Sequence, residues 1–468
     1  MSARPFLAAG AVVALAMSAC AVPAATPRPS EIADRPLIVD VDMDSSDVLA
    51  LAYLLTVPGY DVQAITIPAT GIGNCPPGAD NARAIANAVG RGQIPVACGG
   101  ATPVGDGHPA PDGWRIPADE LYGITLAAVG STEARTAPQL IVDVLRANPG
   151  GVDIFAAGPL TNVALALIAE PALSERVGRI VTMAGAVAVP GNVDVDPAVG
   201  SPEYNVWADP GALAAVIASG VPVVMVPLDA TDDVPVTPAI YARLESDHRA
   251  AGANIAFELL ARNRFLVLGG QYFWDPLAAA VFEDPTVVTT KEVRLRVGTG
   301  YSAELGRTLI DESGVPVRVA VAAATDRFDS LFLAGLRRSP DVPTPFAPGG
   351  PLTVSFDGTT CQTSGSEDLQ TGPYWVRVEN TSTSDVLVAF VTLHPDATWE
   401  QLEAYAASYT GNEAAPTFAA VTMVPVFGPG IDAVVDVSAG EAGFACVAQV
   451  DGAVSGVALG HSFVVTAP

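Results

Sequence analysis

Basic residues are scarce in this chain. Its 468 residues include one lysine, Lys291, and four histidines, and lysine and arginine together number 23 against 50 aspartates and glutamates. The resulting formal net charge of -27 repels phosphate backbones and gives no support for nucleic-acid binding. Charged residues make up only 16% of the chain and hydrophobic residues 50%, which is typical of well-packed globular domains and argues against disorder.

Long apolar runs are also few, and the clearest one lies near the start. It extends over residues 6–17 after Arg4, and it is too short to span a bilayer as a helix of a mature protein. The following Met17-Ser18-Ala19-Cys20 resembles a bacterial lipobox, with methionine where leucine is usual. We therefore expect residues 1–20 to direct export, giving either a cell-surface lipoprotein anchored through Cys20 or a secreted or periplasmic protein. Residues 21–35, rich in alanine and proline, are interpreted as a tether.

Cysteine is rare as well. After Cys20 the chain has four: Cys75, Cys98, Cys361 and Cys446. An even number permits two disulfides in an oxidising compartment, and the sequence alone leaves the pairing open. We favour Cys361 with Cys446 because both lie in the same predicted domain. No cysteine has a metal-ligand spacing with histidine, so a zinc site is not expected.

From residue 36 to 338, apolar strand-like runs alternate with helix-like stretches, which predicts an α/β domain with a mostly parallel sheet and flanking helices. Predicted strands are 37–41, 62–67, 152–156, 179–183 and 222–226. Predicted helices are 48–55, 79–89, 137–146 and 162–169.

The composition changes beyond this region. A Pro/Gly-rich linker is predicted over 339–351, followed over 352–468 by an accessory, all-β, sandwich-like antiparallel domain with one helix at 398–408. Its predicted strands are 352–356, 374–378, 386–393, 433–437 and 463–465. No catalytic constellation is visible in this second domain.

Four carboxylates follow the first predicted strand: Asp40, Asp42, Asp44 and Asp47. Ligands of open α/β sheets bind at the carboxyl ends of strands, and oxygen-rich clusters bind hard cations such as calcium or magnesium. The alternative is a solvated turn in which an aspartate caps the next helix. Four acids within eight residues would repel one another strongly without a cation, which favours a metal site.

Two enzyme families place Asp-x-Asp at a strand end. Haloacid-dehalogenase-like phosphatases need a lysine or its equivalent beside the phosphate, and Lys291 lies in a strand-like Thr-Lys-Glu-Val context. The inosine-uridine-type nucleoside hydrolases fit better, because the chain resembles them in order from about residue 36 to 335. Besides the acidic stretch, the resemblance is carried by Gly73-Asn74, Asp80-Asn81-Ala82, Ala157-Gly158-Pro159-Leu160-Thr161-Asn162, Gly191-Asn192, Glu203-Tyr204-Asn205, Asp209-Pro210 and Asp275-Pro276-Leu277-Ala278.

The resemblance implies an N-glycosidase that hydrolyses ribonucleosides to free base and ribose, with a calcium-bound water as nucleophile and Asp42 accepting its proton. It implies Ca²⁺ coordination by Asp42, Asp47 and Asp275 together with the main-chain carbonyl of Ala157. It also implies a nucleoside as the partner and is compatible with a homo-oligomer. The residues implied to hold the ribose hydroxyls are Asn74, Asn192, Glu203 and Asn205.

Two positions depart from the family pattern. Ser46 stands where the first aspartate of an Asp-Asp pair is usual, and Asp44 is a candidate to compensate for it. Trp274 stands where several members have a histidine that protonates the leaving base. An indole is no acid, but it can stack on a base, so Trp274 is a candidate substrate-binding residue; core packing is the alternative. A second hypothesis is therefore a non-catalytic nucleoside- or sugar-binding protein on a degenerate hydrolase scaffold. His108 is the weak alternative as a replacement acid.

Overall fold

The structure, a computed structural model, describes residues 34–194, 201–300, 303–411, 413–426, 431–450 and 452–467. The expected export segment 1–20 and most of the expected tether lie outside the described residues. Arg35, assigned to the tether, instead begins the first strand. Within the described part of the chain, no helix is long and apolar enough to cross a membrane.

The first domain is built on a nine-stranded sheet in the order β3-β2-β1-β4-β5-β6-β9-β7-β8. The first seven strands in this order are parallel, and β7 and β8 are antiparallel additions at one edge. This confirms the mostly parallel sheet. The strands are β1 (Arg35–Asp40), β2 (Tyr60–Ile67), β3 (Val96–Cys98), β4 (Val152–Ala156), β5 (Val177–Met183), β6 (Val223–Val226), β7 (Val288–Val297), β8 (Thr308–Ile310) and β9 (Val315–Ala323).

Helices cover both faces of this sheet, because its central strands are apolar on both sides. In β4 every residue is buried, and alternate residues of β1 belong to two different hydrophobic clusters. The described helices of this domain are α1 (Ser45–Leu54), α2 (Pro77–Ala88), α3 (Asp112–Asp119), α4 (Ala137–Ala147), α5 (Thr161–Ala169), α6 (Tyr204–Ala208), α7 (Pro210–Ala218), α8 (Leu228–Thr231), α9 (Pro238–Ser246), α10 (Ala251–Arg262), α11 (Phe265–Leu268), α12 (Trp274–Glu283) and α13 (Thr325–Leu336).

The C-terminal region forms an additional β domain in which two sheets enclose a common core that includes Val354, Phe390 and Phe444. The sheet orders are β11-β10-β12-β15 and β14-β13-β16-β17, with β18 paired to β16. The pairing is antiparallel except between β10 and β12, which run parallel and correct the fully antiparallel expectation. The elements are β10 (Gly349–Phe356), β11 (Cys361–Ser364), β12 (Gly372–Asn380), β13 (Asp385–Leu393), α14 (Trp399–Ser408), β14 (Ala419–Val424), β15 (Ala433–Val437), β16 (Gly440–Val450), β17 (Ala453–Leu459) and β18 (Phe463–Val465).

Two disulfides are present among the described residues. Cys361 on β11 pairs with Cys446 on β16, which confirms the favoured pairing and ties the two sheets of the β domain together. Cys75 pairs with Cys98 and joins the loop after β2 to the end of β3.

Each predicted strand and helix is present within three residues of its predicted bounds. Among the strands not predicted is β16, the longest of the described β domain. Its Gly-Glu-Ala-Gly-Phe-Ala-Cys sequence is rich in small residues and lacks a clear alternation. The segment predicted as a linker follows α13 and packs along α10, where the backbone N–H of Ala251 donates to the Pro340 carbonyl at 2.8 Å.

The order of the central strands decides where the polar residues meet. β1, β4 and β5 are adjacent and parallel, so their carboxyl ends open at one edge of the sheet. Asp42 follows β1 and Ala157 follows β4, while Met183 is the last residue of β5. A cavity of about 550 Å³ lies at this edge.

Candidate active site

The first two acids, Asp40 at the end of β1 and Asp42 in the turn before α1, have different surroundings. Asp40 is fully buried, and its Oδ1 accepts hydrogen bonds from Thr66 Oγ1 at 2.5 Å and Asn162 Nδ2 at 2.8 Å. Burial raises the pKa of Asp40 to about 7. These contacts make Asp40 an internal brace between β1, β2 and α5, whereas the side chain of Asp42 lines the cavity.

Asp42 is held in a space that only glycine neighbours allow. Its Oδ2 accepts a hydrogen bond from the Ile72 backbone N–H at 2.9 Å. A Cβ on Gly71 would lie 2.1 Å from that Oδ2, and one on Gly158 would lie 2.8 Å from the Asp42 Cβ. Close backbone approach of this kind requires glycine, so the loops after β2 and β4 fix the orientation of the Asp42 carboxylate.

Asp44 and Asp47 are locked together by a capping box at the start of α1. Met43 has a left-handed backbone with φ of 65°, which turns the chain into the helix. Asp44 Oδ1 then accepts from the Asp47 N–H at 3.0 Å, and Asp47 Oδ2 accepts from the Asp44 N–H at 3.1 Å. The capping aspartate anticipated as the alternative to a metal ligand is thus present, and it lines the cavity at the same time.

Three carboxylates form what we call the acid cluster: Asp44, Asp47 and Asp275. Each offers an oxygen within 4.8 Å of the others. Asp275 comes from the first turn of α12, and the Ser46 hydroxyl donates a hydrogen bond to its Oδ2. Burial and then neighbouring negative charge raise the pKa of Asp44 to about 6 and hold those of Asp47 and Asp275 well above their usual range.

The acid cluster fits a hard divalent cation. Asp47 Oδ1 is buried and has no hydrogen-bond partner among the residues that the structure describes. The described residues that line the cavity include no lysine, arginine or histidine. Of the implied ligands, Asp47 and Asp275 belong to the cluster, and Asp44 joins them. Asp42 lines the same cavity beside them, and the Ala157 carbonyl accepts a hydrogen bond from Asn205 Nδ2 at 2.6 Å.

The cavity that holds the acid cluster is also lined by a polar wall, made by Asn192, Glu203 and Asn205. Glu203 caps α6; its Oε1 accepts from the Asn205 N–H and its Oε2 from the N–H groups of Gly185 and Val206. Burial raises its pKa to about 7. Asn192 Oδ1 accepts from the Tyr204 N–H at 2.9 Å, which leaves its Nδ2 available to a ligand. Three of the residues implied for sugar binding therefore meet at one side of the cavity.

Comparison with known proteins decides the family. The sequence model of the family of inosine-uridine preferring nucleoside hydrolases matches residues 37–330. The chain belongs to this family.

Its relatives include the pyrimidine-specific ribonucleoside hydrolase RihB of Escherichia coli strain SE11, which is 30% identical over 314 residues, covering 64% of this chain and 95% of RihB. Among solved structures, a purine-preferring ribonucleoside hydrolase from Gardnerella vaginalis is 28% identical with a TM-score of 0.57, covering 65% of this chain and 98% of its own. An inosine-uridine preferring nucleoside hydrolase from Bacillus anthracis has the same fold, with a TM-score of 0.57 at 23% identity over 65% of this chain and 99% of its own. This chain is thus an N-glycosidase of the nucleoside hydrolase family with an additional C-terminal β domain.

One implied sugar-binding residue of this nucleoside hydrolase is placed elsewhere. Asn74 is exposed and does not line the cavity. Its backbone N–H and Nδ2 each donate to the Asp119 carboxylate at 2.7 Å, and its Oδ1 accepts from Arg115 at 2.8 Å. These bonds tie the loop after β2 to α3.

Aromatic side chains complete the cavity of this nucleoside hydrolase. Six described aromatic residues line it, and we call four of them the aromatic wall: Trp114, Tyr122, Tyr272 and Trp274; the other two are Tyr204 and Phe265. Trp274 is partly buried, and its Nε1–H has no acceptor among the described residues, which suits a ligand as well as a core position. His108 does not line the cavity; its ring stacks on Trp207 with centroids 4.2 Å apart.

Tyr122 is one of several cavity residues that the sequence did not indicate, along with Trp114, Tyr272, Asn263 and Phe265. It has a left-handed backbone with φ of 54°, and burial, with the nearby charges of Asp44, Asp42 and Asp47, raises the pKa of its hydroxyl well above its usual range. Its hydroxyl therefore stays protonated beside the acid cluster. A lone tyrosine before Gly123 carries no sequence signal of this role.

Proposed function

We propose that this nucleoside hydrolase cleaves the N-glycosidic bond of ribonucleosides by water attack, releasing free base and ribose, with Ca²⁺ as its metal. The observation that carries the proposal is the meeting of the acid cluster and the polar wall in one cavity. A hydrolase of this kind needs oxygen ligands for the metal, which the acid cluster offers. It also needs polar partners for the ribose hydroxyls, which the polar wall offers.

Calcium would be held by Asp44, Asp47 and Asp275, with Asp42 and the Ala157 carbonyl as further oxygen donors at the same edge of the sheet. Carboxylate and carbonyl oxygens are the ligands that calcium prefers. When bound, Ca²⁺ would orient the attacking water and lower its pKa.

The residues of the chain have separate tasks in the proposed reaction. Asp42, fixed by the Ile72 N–H at 2.9 Å, accepts the proton of the water. Asn192, Glu203 and Asn205 hold ribose hydroxyls, which converts binding away from the reacting carbon into orientation at it. The negative charge of the surrounding carboxylates stabilises the oxocarbenium-like sugar that forms as the bond to the base breaks.

The base would lie against the aromatic wall. Stacking there accommodates both purines and pyrimidines, and the relatives named above differ in base preference, so a preferred base does not carry over to this chain. With no histidine among the described cavity residues, hydrogen bonding to the departing base falls to a neutral donor such as the Trp274 N–H, or to solvent.

Ribose release from a panel of purine and pyrimidine nucleosides tests this proposal. The assay compares wild type with calcium, wild type after chelation, and Asp42→Asn with calcium. We expect calcium-dependent cleavage of at least one nucleoside that the substitution abolishes. Absence of cleavage throughout the panel would refute it.

A nucleoside-binding protein without catalysis is the second candidate. It is favoured by Ser46, whose hydroxyl bonds to Asp275 where the family usually has a carboxylate. Calorimetric binding of nucleosides or ribose in the presence of calcium, without any ribose release, would select this candidate.

Export is proposed from the N-terminal sequence and is supported by the two disulfides, which form readily in oxidising compartments. Labelling with a radioactive fatty acid separates the two forms of export. Incorporation lost in Cys20→Ser indicates a lipoprotein, and secretion without incorporation indicates a soluble protein. Retention in the cytoplasm would contradict export.

A further inference from the structure

The C-terminal β domain packs directly against the domain that carries the active site. Val434 of β15 is 9% exposed and belongs to the main hydrophobic cluster of the first domain, and Trp375 of β12 packs against that cluster. The contact surface on the first domain includes α10. The family relatives align with 95% or more of their own length over about two thirds of this chain, so this domain is an addition whose role the family does not explain.

The linker extends the same contact along α10. Phe346 donates its backbone N–H to Asn254 Oδ1 at 2.6 Å, and its ring lies 6.0 Å from that of Phe257. The Arg262 guanidinium, at the other end of the helix, lies 4.9 Å from the centre of the Phe346 ring. The linker is therefore a packed segment that joins the β domain firmly to α10.

Arg262, at the C-terminal end of α10, joins this helix to the β domain. Its side chain is 12% exposed and forms ion pairs with Glu258 at 2.8 Å and with Asp436 of β15 at 2.7 Å. Both carboxylates and the Phe346 ring contact the same guanidinium. The end of α10 is therefore linked to the β domain and to the segment that precedes it. The pair with Glu258 is shielded from solvent on both sides, whereas the Asp436 side chain is 59% exposed, so the pair across the domains contributes modestly.

Asn263, the residue after Arg262, connects the end of α10 to the cavity. Asn263 follows α10 and lines the cavity, and its Nδ2 donates to the Leu259 carbonyl at 2.9 Å and to the Tyr122 carbonyl at 3.1 Å. Tyr122 holds a left-handed conformation, which costs energy for a residue with a bulky side chain and needs support from its neighbours. Phe265, two residues after Asn263, also lines the cavity.

We propose that the C-terminal β domain fixes the position of Tyr122 in the aromatic wall of the active site. Asp436 and Arg262 are the positioning residues, and they act on Tyr122 through Asn263. This role rests on the proposed function. Asp47 and Asp275 come from α1 and α12, and the ion pairs of Arg262 and the hydrogen bonds of Asn263 reach neither carboxylate, so the β domain acts mainly on base binding. Loosening the wall removes binding energy that substrate and transition state share, which raises KM and spares kcat.

The test compares steady-state kinetics of the full-length protein and its variants on the best nucleoside. We expect Asp436→Ala to raise KM about two- to fivefold with kcat nearly unchanged, and Arg262→Met, which leaves Glu258 unpaired, to raise it on the order of tenfold. Asp436→Glu restores the pair and should restore KM. Inhibition by free ribose and the calcium dependence should be the same in all variants.

Asp432→Ala is the matched control, because it removes the same negative charge from the β domain. The partner of Asp432, Arg377 at 2.8 Å, lies in its own domain. An unchanged KM in Asp436→Ala, or an equal change in Asp432→Ala, would overturn the inference while the enzyme stands. A wild type that cleaves no nucleoside would overturn the proposed function instead. In that case the same variants are compared by their dissociation constants for a nucleoside. Weaker nucleoside binding in Asp436→Ala alone supports the positioning role, and equal Kd values in all variants overturn it.

Discussion

Removing calcium from this nucleoside hydrolase should make its stability depend on pH. The acid cluster holds three carboxylate oxygens within 4.8 Å of one another. At that separation two unit charges repel by about 3.5 kcal/mol at an effective dielectric constant of about 20. Three such pairs amount to about 10 kcal/mol, as much as the whole stability of a typical domain. The metal-free protein must therefore take up protons.

The direction in which metal-free stability changes with pH follows from the raised pKa values. Asp44, with its pKa raised to about 6, and Asp47 and Asp275, with theirs held well above the usual range, bind more protons in the folded than in the unfolded state above about pH 4. Metal-free stability should then fall as pH rises, by up to about 1.4 kcal/mol per pH unit for each group that titrates. Because calcium replaces these protons, its stabilising effect should be larger at pH 8 than at pH 5.

Thermal unfolding at pH 5 and pH 8, with chelator and with calcium, measures this dependence. Asp275→Asn removes one charge from the acid cluster, so it should raise the metal-free Tm at pH 8 and weaken the response to calcium. Asp143→Asn, at an exposed site paired with Arg135, is the matched control and should behave as wild type. A metal-free wild type as stable at pH 8 as at pH 5, or an undiminished calcium response in Asp275→Asn, would refute the reasoning.

Four further predictions concern single positions. Asp42→Asn should lower kcat by at least about 10²-fold with ribose inhibition retained, measured by initial rates; a smaller loss would remove Asp42 as the base. Glu203→Gln should raise the Ki of free ribose, since its carboxylate belongs to the polar wall; an unchanged Ki would leave Glu203 only as the cap of α6. Trp274→Phe keeps an aromatic ring but removes the unpaired N–H, so a rise in KM would identify that N–H as a ligand contact and unchanged kinetics would indicate packing alone. The double change Cys361→Ser with Cys446→Ser should lower the unfolding free energy in denaturant by about 2–4 kcal/mol, and equal stability would contradict a structural role for the disulfide.

The sequence predicted the architecture of the first domain because its signals are local. Continuous apolar strands separated by helices indicate a covered parallel sheet, and a parallel sheet brings the carboxyl ends of neighbouring strands together. The acids after β1 could therefore be placed at a site from the sequence pattern, whereas the separate roles of Asp42, Asp47 and Glu203 were implied only by the resemblance to the nucleoside hydrolases. The parallel pairing of β10 with β12 could not, because alternation predicts a strand but leaves its partner open.

Tertiary structure decided which side chains meet within the site. Asp44 enters the acid cluster because the left-handed Met43 and the capping box turn its carboxylate beside that of Asp47, while Asn74 is drawn to Asp119 and Arg115 on α3. Ser46 and Asp275 touch across 229 residues of chain. The sequence by itself determined which residue types stand at the strand ends, because periodicity and spacing act over a few residues. Only the packed fold determined their orientation, because that depends on partners brought from distant segments.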